Sequence, residues 1–505
     1  TSISQGLGLL AAWEIQKKEG KVVAVIGDGA LTGGMAFEAL SHAGQLSKNL
    51  IVVLNDNQMS ISPNTSSISR YLSRLTMSHT YQSFRYWVDG MVDKIPNAER
   101  HLGKFIYRFK RGLKGLLLSN NLFTDLGCEY VGPLDGHDIA EMEKVFRRVR
   151  NLPKPVVVHV RTVKGKGYSP AENDPATFHG IGPFQISDGT FEKFDTLSFT
   201  ESFSRALIAL AEQNPRVVAI TAAMAKGTGL DAFSRRFPDR FFDVGIAEEH
   251  AVTFAGGLAA GGMVPVVAIY STFMQRAVDQ VVHDVALSRR GVVFCLDRAG
   301  IVGEDGATHH GAFDLAALRP VPHLTICAPM NEHELRCMMY TAQLPDMGPF
   351  VIRYPRGRGV LPDWRCPFSE LPVGKGRRLR EGNDVAVLSI GHIGNNVVKA
   401  IEEAQGVSVA HYDMRFLCPI DTEILDEVGS RFSHVITVED GVRNGGLGSA
   451  VLEYFADHGM TPRVTRLGLP SDEFVEHGTV AQLQHIVGID VEGIRKSIEQ
   501  CAHNS

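Results

Sequence analysis

Two short polar strings carry the residue types best suited to chemistry in the first part of the chain, Gly27-Asp28-Gly29-Ala30 and Asn55-Asp56-Asn57. A carboxylate at Asp28 and a carboxamide at Asn57 are oxygen ligands of the kind a hard cation such as Mg²⁺ takes while it holds a diphosphate. The glycines let backbone N–H groups approach phosphate oxygens near a helix start. Two other readings use the same residues. Gly27-x-Gly29-x-x-x-Gly33 lies near the dinucleotide pattern, with Asp56 as the acid on a ribose, although its glycine spacing misses by one. A tight turn N-capped by Asp28 needs no ligand at all.

The elements that must position these residues follow from the flanking runs. Val22–Ile26 and Leu50–Leu54 are short, continuous and apolar, which predicts buried parallel strands. A helical pattern over 36–46 joins them, giving strand, Gly-rich turn, helix, strand. Loops at the carboxyl ends of adjacent strands in such a unit form a ligand crevice. An Asp and then a carboxamide, each at a strand tip, resemble the thiamin-diphosphate fingerprint.

A second constellation lies at Asp243 to His250, where a strand gives way to a helix and places Glu248 and Glu249 side by side. A buried carboxylate there has its pKa raised toward the working range and could protonate an aminopyrimidine ring. Glu248 is the better candidate, because Glu249 could serve only the first helical turn. The loop Arg298 to Asp314 is polar and Gly-rich at a strand's carboxyl end, where α/β enzymes keep binding groups. Its His309 could move protons near neutral pH. A transition-metal site from its paired histidines lacks helical spacing. Arg298, Arg353 and Arg356 offer planar forks for a phosphate ester, or surface salt bridges. Phe273 could pack on a flat ring or belong to the core.

Length and composition bound the class. The chain has 505 residues and 44% hydrophobic content, more than one core can use, so three domains are expected. Their expected bounds are 1–190, 191–365 and 366–505, separated by Gly/Pro-rich breaks. A net charge of −5 gives no reason to expect nucleic acid. Seven scattered cysteines without C-x-x-C suggest reduced core thiols, and no apolar run reaches the length of a membrane span. A cytoplasmic protein is expected. The segment 60–118 holds ten Lys and Arg against three Asp and Glu, and reads as a mobile basic insertion near an anionic ligand.

Nine ordered strings extend the resemblance along the whole chain: GDGALTGGMAFEAL, NDNQMSIS, GPLDGHD, KGKGYSPAE with DPATFHG, FDVGIAEEHAVTFAGGLA, YSTFMQRAVDQ, DRAGIVGEDGATHHGAFDL, RYPRG and GLPSDEFVEHG. Together they are similar to the transketolase group of thiamin-diphosphate enzymes and, within it, to the 1-deoxy-D-xylulose-5-phosphate synthases. The resemblance implies three doubly wound α/β parallel-sheet domains: two that bind thiamin diphosphate and a C-terminal transketolase-type domain. It implies a homodimer, no nucleic acid or membrane partner, and condensation of pyruvate with D-glyceraldehyde 3-phosphate. The products would be 1-deoxy-D-xylulose 5-phosphate and CO₂, the first step of non-mevalonate isoprenoid synthesis.

Carried over by residue, the resemblance makes Asp28, Asn57 and the carbonyl of Met59 the Mg²⁺ ligands. Gly29, Ala30 and Tyr168 lie near the cofactor, Glu248 is its activating acid, and Phe273 stacks on its ring. Tyr270, Arg276, Asp305, His309 and His179 match substrate-site or catalytic positions, and Arg298 with Arg356 match the pair that holds the aldehyde's phosphate. By the same resemblance, Glu249 and His310 depart from the family, which usually carries Gln at both. The family also has an upstream segment with an active-site His and a Gly-His-Ser string; Thr1 aligns just past it, so a missing upstream piece is expected. The alternatives are another transketolase-group enzyme or a catalytically incomplete fragment.

Overall fold

The computed structural model describes residues 1–46, 49–57, 59, 71–72, 121–180, 182–190 and 196–503. The basic insertion expected at 60–118 falls almost wholly outside them. The chain divides into two compact units, one of Thr1–Ile181 with Gly245–Ala247, the other of Gly182–Val244 with Glu248–Ser505.

In the first unit four strands, β1 (Val22–Gly27), β2 (Leu50–Asp56), β3 (Glu129–Asp135) and β4 (Val156–Arg161), form an all-parallel sheet in the order β1-β2-β4-β3. The helix Ser2–Ile15 buries Ile3, Leu7 and Leu10, and the helix Gly34–Leu46 buries Ala36, Ala39, Leu40 and Ala43, in one core with Ala24, Ile26 and Leu54. Each large apolar side chain so buried contributes roughly 1.5–3 kcal/mol before entropy is counted. The helix Ile139–Val149 packs Met142, Val145 and Phe146 against a second cluster on β2, β3 and β4. The string Tyr130 to Asp138 carries a turn signal in sequence; residues 130–135 lie in β3, with a register shift between Val131 and Leu134 where it pairs with β4, and the turn itself falls at Gly136 and His137. The Gly-Pro step there looked like punctuation, but pairing along β4 overrides it.

The second unit holds two sheets. Strands β5 (Val217–Thr221), β6 (Phe241–Asp243), β7 (Val264–Tyr270), β8 (Val293–Ala299), β9 (Thr325–Cys327) and β10 (Phe350–Pro355) pair in parallel. The other sheet contains β11 (Arg377–Arg380), β12 (Val385–Ile390), β13 (Val409–Asp413), β15 (His434–Val442) and β16 (Arg463–Leu469), in the order β11-β13-β12-β15-β16. A short strand β14 (Phe416–Cys418) from the later part of the chain adds antiparallel to β9, so the first of these sheets has seven strands in the order β14-β9-β10-β8-β7-β5-β6. Strands β5, β10, β12 and β15 are buried throughout, as expected where helices cover both faces. The residue pattern over 272–289 predicts one helix; the chain there is instead broken into short turns, ending in a π-helical stretch at Val281–Ala286. Among the described residues, no helix is long and apolar enough to cross a membrane.

Candidate active site

In the first unit the parallel register sets Gly27 beside Asn55, so the turn after β1 and the end of β2 leave the sheet side by side. Asp28 N–H donates to the Asn55 carbonyl at 3.0 Å. Asp28 is buried and heads the 3-10 turn Gly29–Thr32, yet its side chain does not cap that turn. The capping reading therefore loses its support. Gly29 is buried and Ala30 half-buried in the same turn. The dinucleotide reading also weakens, because the Asp56 side chain, though Asp56 borders the cavity beside Asn57, is engaged by a buried histidine. It meets His159 Nε2 at 2.9 Å, and Tyr130 Oη lies 2.7 Å from the other ring nitrogen.

Asn57 Oδ1 accepts from Met59 N–H at 3.0 Å, which draws the Met59 backbone to the tip of β2. Asn57 and Met59 line a cavity of about 270 Å³ with Thr162, Lys164 and Glu172. Thr162 Oγ1 donates to Asn55 Oδ1 at 2.7 Å and ties the end of β4 to that of β2. A buried carboxylate, a carboxamide and a backbone carbonyl make an all-oxygen donor set, which fits a hard divalent cation. Lys164 belongs to the KGKGYSPAE string but draws no role from sequence alone. Burial lowers its pKa, and the nearby Asp28 opposes that shift. Tyr168 is half-buried, edge-on to Phe178 at 5.7 Å, and His179 is exposed.

In the second unit Glu248 begins the helix Glu248–Ala260 and is 2% exposed. Burial raises its pKa, against the pull of Arg276, whose Nη1 donates to Glu248 Oε1 at 2.6 Å; Glu249 adds a smaller push upward. Glu249 itself is exposed in the first helical turn, where the helix dipole favours a carboxylate. Arg276 also lies over the Phe273 ring at 5.1 Å. That ring is stacked with Tyr270 at 5.7 Å and meets His309 edge-on at 5.5 Å. Sequence-distant residues thus form one wall with the acid at one end and an imidazole at the other.

Arg298 stands at the end of β8 with φ of 62°, a strained conformation for a residue with a side chain. It lies 3.8 Å over the Tyr270 ring and donates to the Gly227 carbonyl at 2.8 Å and to Asp297 at 3.2 Å. Burial works against its charge, but Asp297, Tyr270 and Asp305 outweigh it and raise its pKa. Asp297 is itself fully buried and accepts from Thr200 at 2.7 Å. Arg356 donates to Asp305 at 2.5 Å. Arg353, for which a phosphate ester and a surface salt bridge were both open, does neither. It is buried, with Nε on Asp314 at 2.8 Å and Nη2 on the Asp440 carbonyl at 2.8 Å. Sequence reading missed Asp297, Thr200 and Gly227 as supports of Arg298; the Asp directly before the arginine was the one available signal.

The loop that carries Asp305 and His309 is closed at its base. Gly300 and Gly311 exchange backbone hydrogen bonds at 2.9 and 2.8 Å, and Ile301 N–H donates to Asp440 at 3.1 Å. His310 is buried; it accepts from Val302 N–H at 3.1 Å and donates from Nε2 to the Glu476 carbonyl at 3.0 Å. That pattern of one acceptor and one donor is one a carboxamide could also make.

Parallel-rich sheets wrapped by helices, with a buried aspartate in the turn after β1 of one unit and a buried acid near an aromatic wall in the other, are the frame of a transketolase-type protein. Residues 195–359 match the transketolase pyrimidine-binding domain and 374–494 the transketolase C-terminal domain. A transketolase from Leishmania mexicana shares the fold with a TM-score of 0.51 and 17% identity, over 100% of this chain and 80% of that one. A split-gene transketolase, described as an inactive β4 tetramer, aligns with a TM-score of 0.55 and 28% identity over 61% of this chain and 99% of its own.

Residues 1–162 match the model for 1-deoxy-D-xylulose-5-phosphate synthase. Proteins of that name from Bacteroides fragilis and Geobacter sulfurreducens are 49% and 50% identical, covering 98% and 99% of this chain and 78% and 79% of their own lengths. The chain belongs to the 1-deoxy-D-xylulose-5-phosphate synthase family.

Proposed function

We infer that this protein joins pyruvate to D-glyceraldehyde 3-phosphate with loss of CO₂, yielding 1-deoxy-D-xylulose 5-phosphate for non-mevalonate isoprenoid synthesis. The observation that carries the reading is Glu248. It is a carboxylate buried at a helix start, with its pKa raised by that burial, beside the stacked Phe273 and Tyr270 rings. When bound, thiamin diphosphate supplies the carbon nucleophile and takes up the electron pair that CO₂ leaves behind. Glu248 holds a proton against the cofactor's aminopyrimidine, and Arg276 limits how far its pKa rises. Phe273 packs on that ring.

Asp28, Asn57 and the Met59 carbonyl hold Mg²⁺ on the diphosphate, with Gly29 and Ala30 along it and Tyr168 nearby. Arg298 and Arg356 anchor the aldehyde's phosphate. Their present partners, Asp297 and Asp305, hold both guanidinium groups in place before that anion arrives. His309 moves a proton to or from substrate; His179, Tyr270 and Asp305 complete the substrate contacts. A cytoplasmic homodimer belongs to this reading, and the seven free thiols agree with a reducing compartment.

The test is product formation by the purified chain given pyruvate, glyceraldehyde 3-phosphate, thiamin diphosphate and Mg²⁺. Product that disappears when either pyruvate or Mg²⁺ is withheld supports the reading. Turnover with a ketose-phosphate donor in place of pyruvate would point to another transketolase-group reaction. Cofactor binding without any turnover would count against this activity for the chain.

A further inference from the structure

Away from these residues, a cavity of about 440 Å³ in the second unit is lined by two thiols, Cys337 and Cys366. Cys337 is buried on the helix Glu332–Ala342, and Cys366 is partly exposed on the segment between β10 and β11. Their sulfurs are 3.9 Å apart, and Cys337 Sγ lies 3.2 Å from Ser369 Oγ. A disulfide needs sulfurs about 2 Å apart and backbones already near each other.

The segment carrying Cys366 is already held against the helix carrying Cys337 before any bond forms. Arg336 Nε donates to the Cys366 carbonyl at 2.7 Å, and Leu371 N–H donates to Thr341 Oγ1 at 2.9 Å. Phe368 stacks on Tyr340 with centroids 5.5 Å apart, and Arg336 lies 3.6 Å over the same Phe368 ring. The segment is therefore laid along the helix in the reduced protein. Much of the entropy of bringing the sulfurs together is already spent. The fully buried Cys295 and Cys327 have no such access.

We propose that Cys337 and Cys366 form a reversible disulfide by exchange with a low-molecular-weight disulfide admitted through this cavity. Cys366, the more exposed thiol, loses its proton and attacks one sulfur of the small disulfide. The small S–S bond breaks, and the departing thiolate takes up a proton. Cys337, deprotonated in turn, attacks the Cys366 sulfur and releases the second small thiol. The protein dithiol loses two electrons and two protons, and the small disulfide becomes two thiols. Burial, and next the neighbouring Cys337, hold the Cys366 thiol above its ordinary pKa, so the exchange is slow.

The experiment incubates the folded full chain with 2-hydroxyethyl disulfide, counts free thiols, and maps unreduced peptides. The expected result is loss of two of the seven thiols, a peptide pair joining Cys337 to Cys366, recovery of both thiols with reductant, and a higher melting temperature while oxidised. Cys337→Ala should stop at a persistent mixed disulfide on Cys366, and Cys366→Ser should lose no thiol from this pair. A wild-type protein that stays folded and keeps all its thiols would overturn the proposal. So would a mixed disulfide at Cys366 that never resolves, or a peptide pair joining other cysteines.

Discussion

At the residue scale the central group is Glu248, because its raised pKa has a cause that can be removed. Glu248→Gln keeps the shape and a hydrogen-bond acceptor for Arg276 but cannot exchange the proton. Turnover should fall about 10²–10⁴-fold, the range attached to a positioned proton-transfer group. Thermal unfolding should be little changed, and near-normal rates would remove Glu248 from its role. Arg356 makes a separate prediction. Losing a charge-assisted hydrogen bond to phosphate costs about 1.5–3 kcal/mol, so Arg356→Ala should raise KM for glyceraldehyde 3-phosphate about tenfold or more. KM for pyruvate should stay near its original value, and steady-state kinetics with each substrate varied in turn would check this.

At the scale of elements, the loop bearing Asp305 and His309 owes its position to a base it shares with β15. Gly300 has φ of 74°, and a Cβ there would sit 1.9 Å from Asp440 Oδ2, the carboxylate that holds Ile301 N–H. Gly300→Ala should therefore cost about 1–3 kcal/mol in backbone strain alone and displace Asp440. Urea unfolding should report the loss of stability, and turnover should fall with it even though Gly300 touches no substrate. His310 tests the same loop from its far end. His310→Gln preserves one acceptor and one donor and should behave almost as the parent. His310→Leu leaves the buried Val302 N–H without its partner, at about 1–3 kcal/mol. Parallel melts of the two variants would separate these outcomes.

For the whole molecule, the interior of the second unit carries carboxylates that resist ionisation. Burial pushes Glu439 up to about 7 and Asp440 up to about 6, while Arg353 pulls both down. Glu439 accepts from Leu447 and Gly448 N–H at 2.9 Å each, which only partly offsets its burial. A carboxyl whose folded pKa lies above its unfolded value binds its proton more tightly when folded. The stability it gives at low pH is lost as pH rises from about 4.5, the ordinary value, to about 7. Glu439→Gln has no such loss. Its stability relative to the parent should climb across that window by at most about 3 kcal/mol and level off above it. Denaturant titrations of both proteins at several pH values would show the slope; a constant difference would mean that Glu439 does not titrate in this range.

What the sequence determined by itself is what depends on short spans of chain. Apolar runs such as Val217–Ile220 and Val385–Leu388 announce strands buried on both faces, because a parallel sheet between helices leaves no polar side. Asp28 after β1, Asn57 after β2 and Glu248 at a helix start were legible for the same reason, since strand tips and helix starts are where such a fold presents polar groups. What only the tertiary structure decided depends on partners distant in sequence. Arg353 could not be told from a substrate ligand until Asp314 and Asp440 were beside it, and Asp56 could not be removed from the ligand candidates until His159 was. Strand β14 is three residues long and carries no period of its own; it exists because β9 offers it an edge. His310 looked like a departure at a sensitive position, and only Val302 and Glu476, brought beside it by folding, show which hydrogen bonds it makes. Spacing along a chain fixes which local structure a segment adopts, but a side chain's charge state and duty are set by the groups that exclude water around it, and those arrive only when the chain has folded.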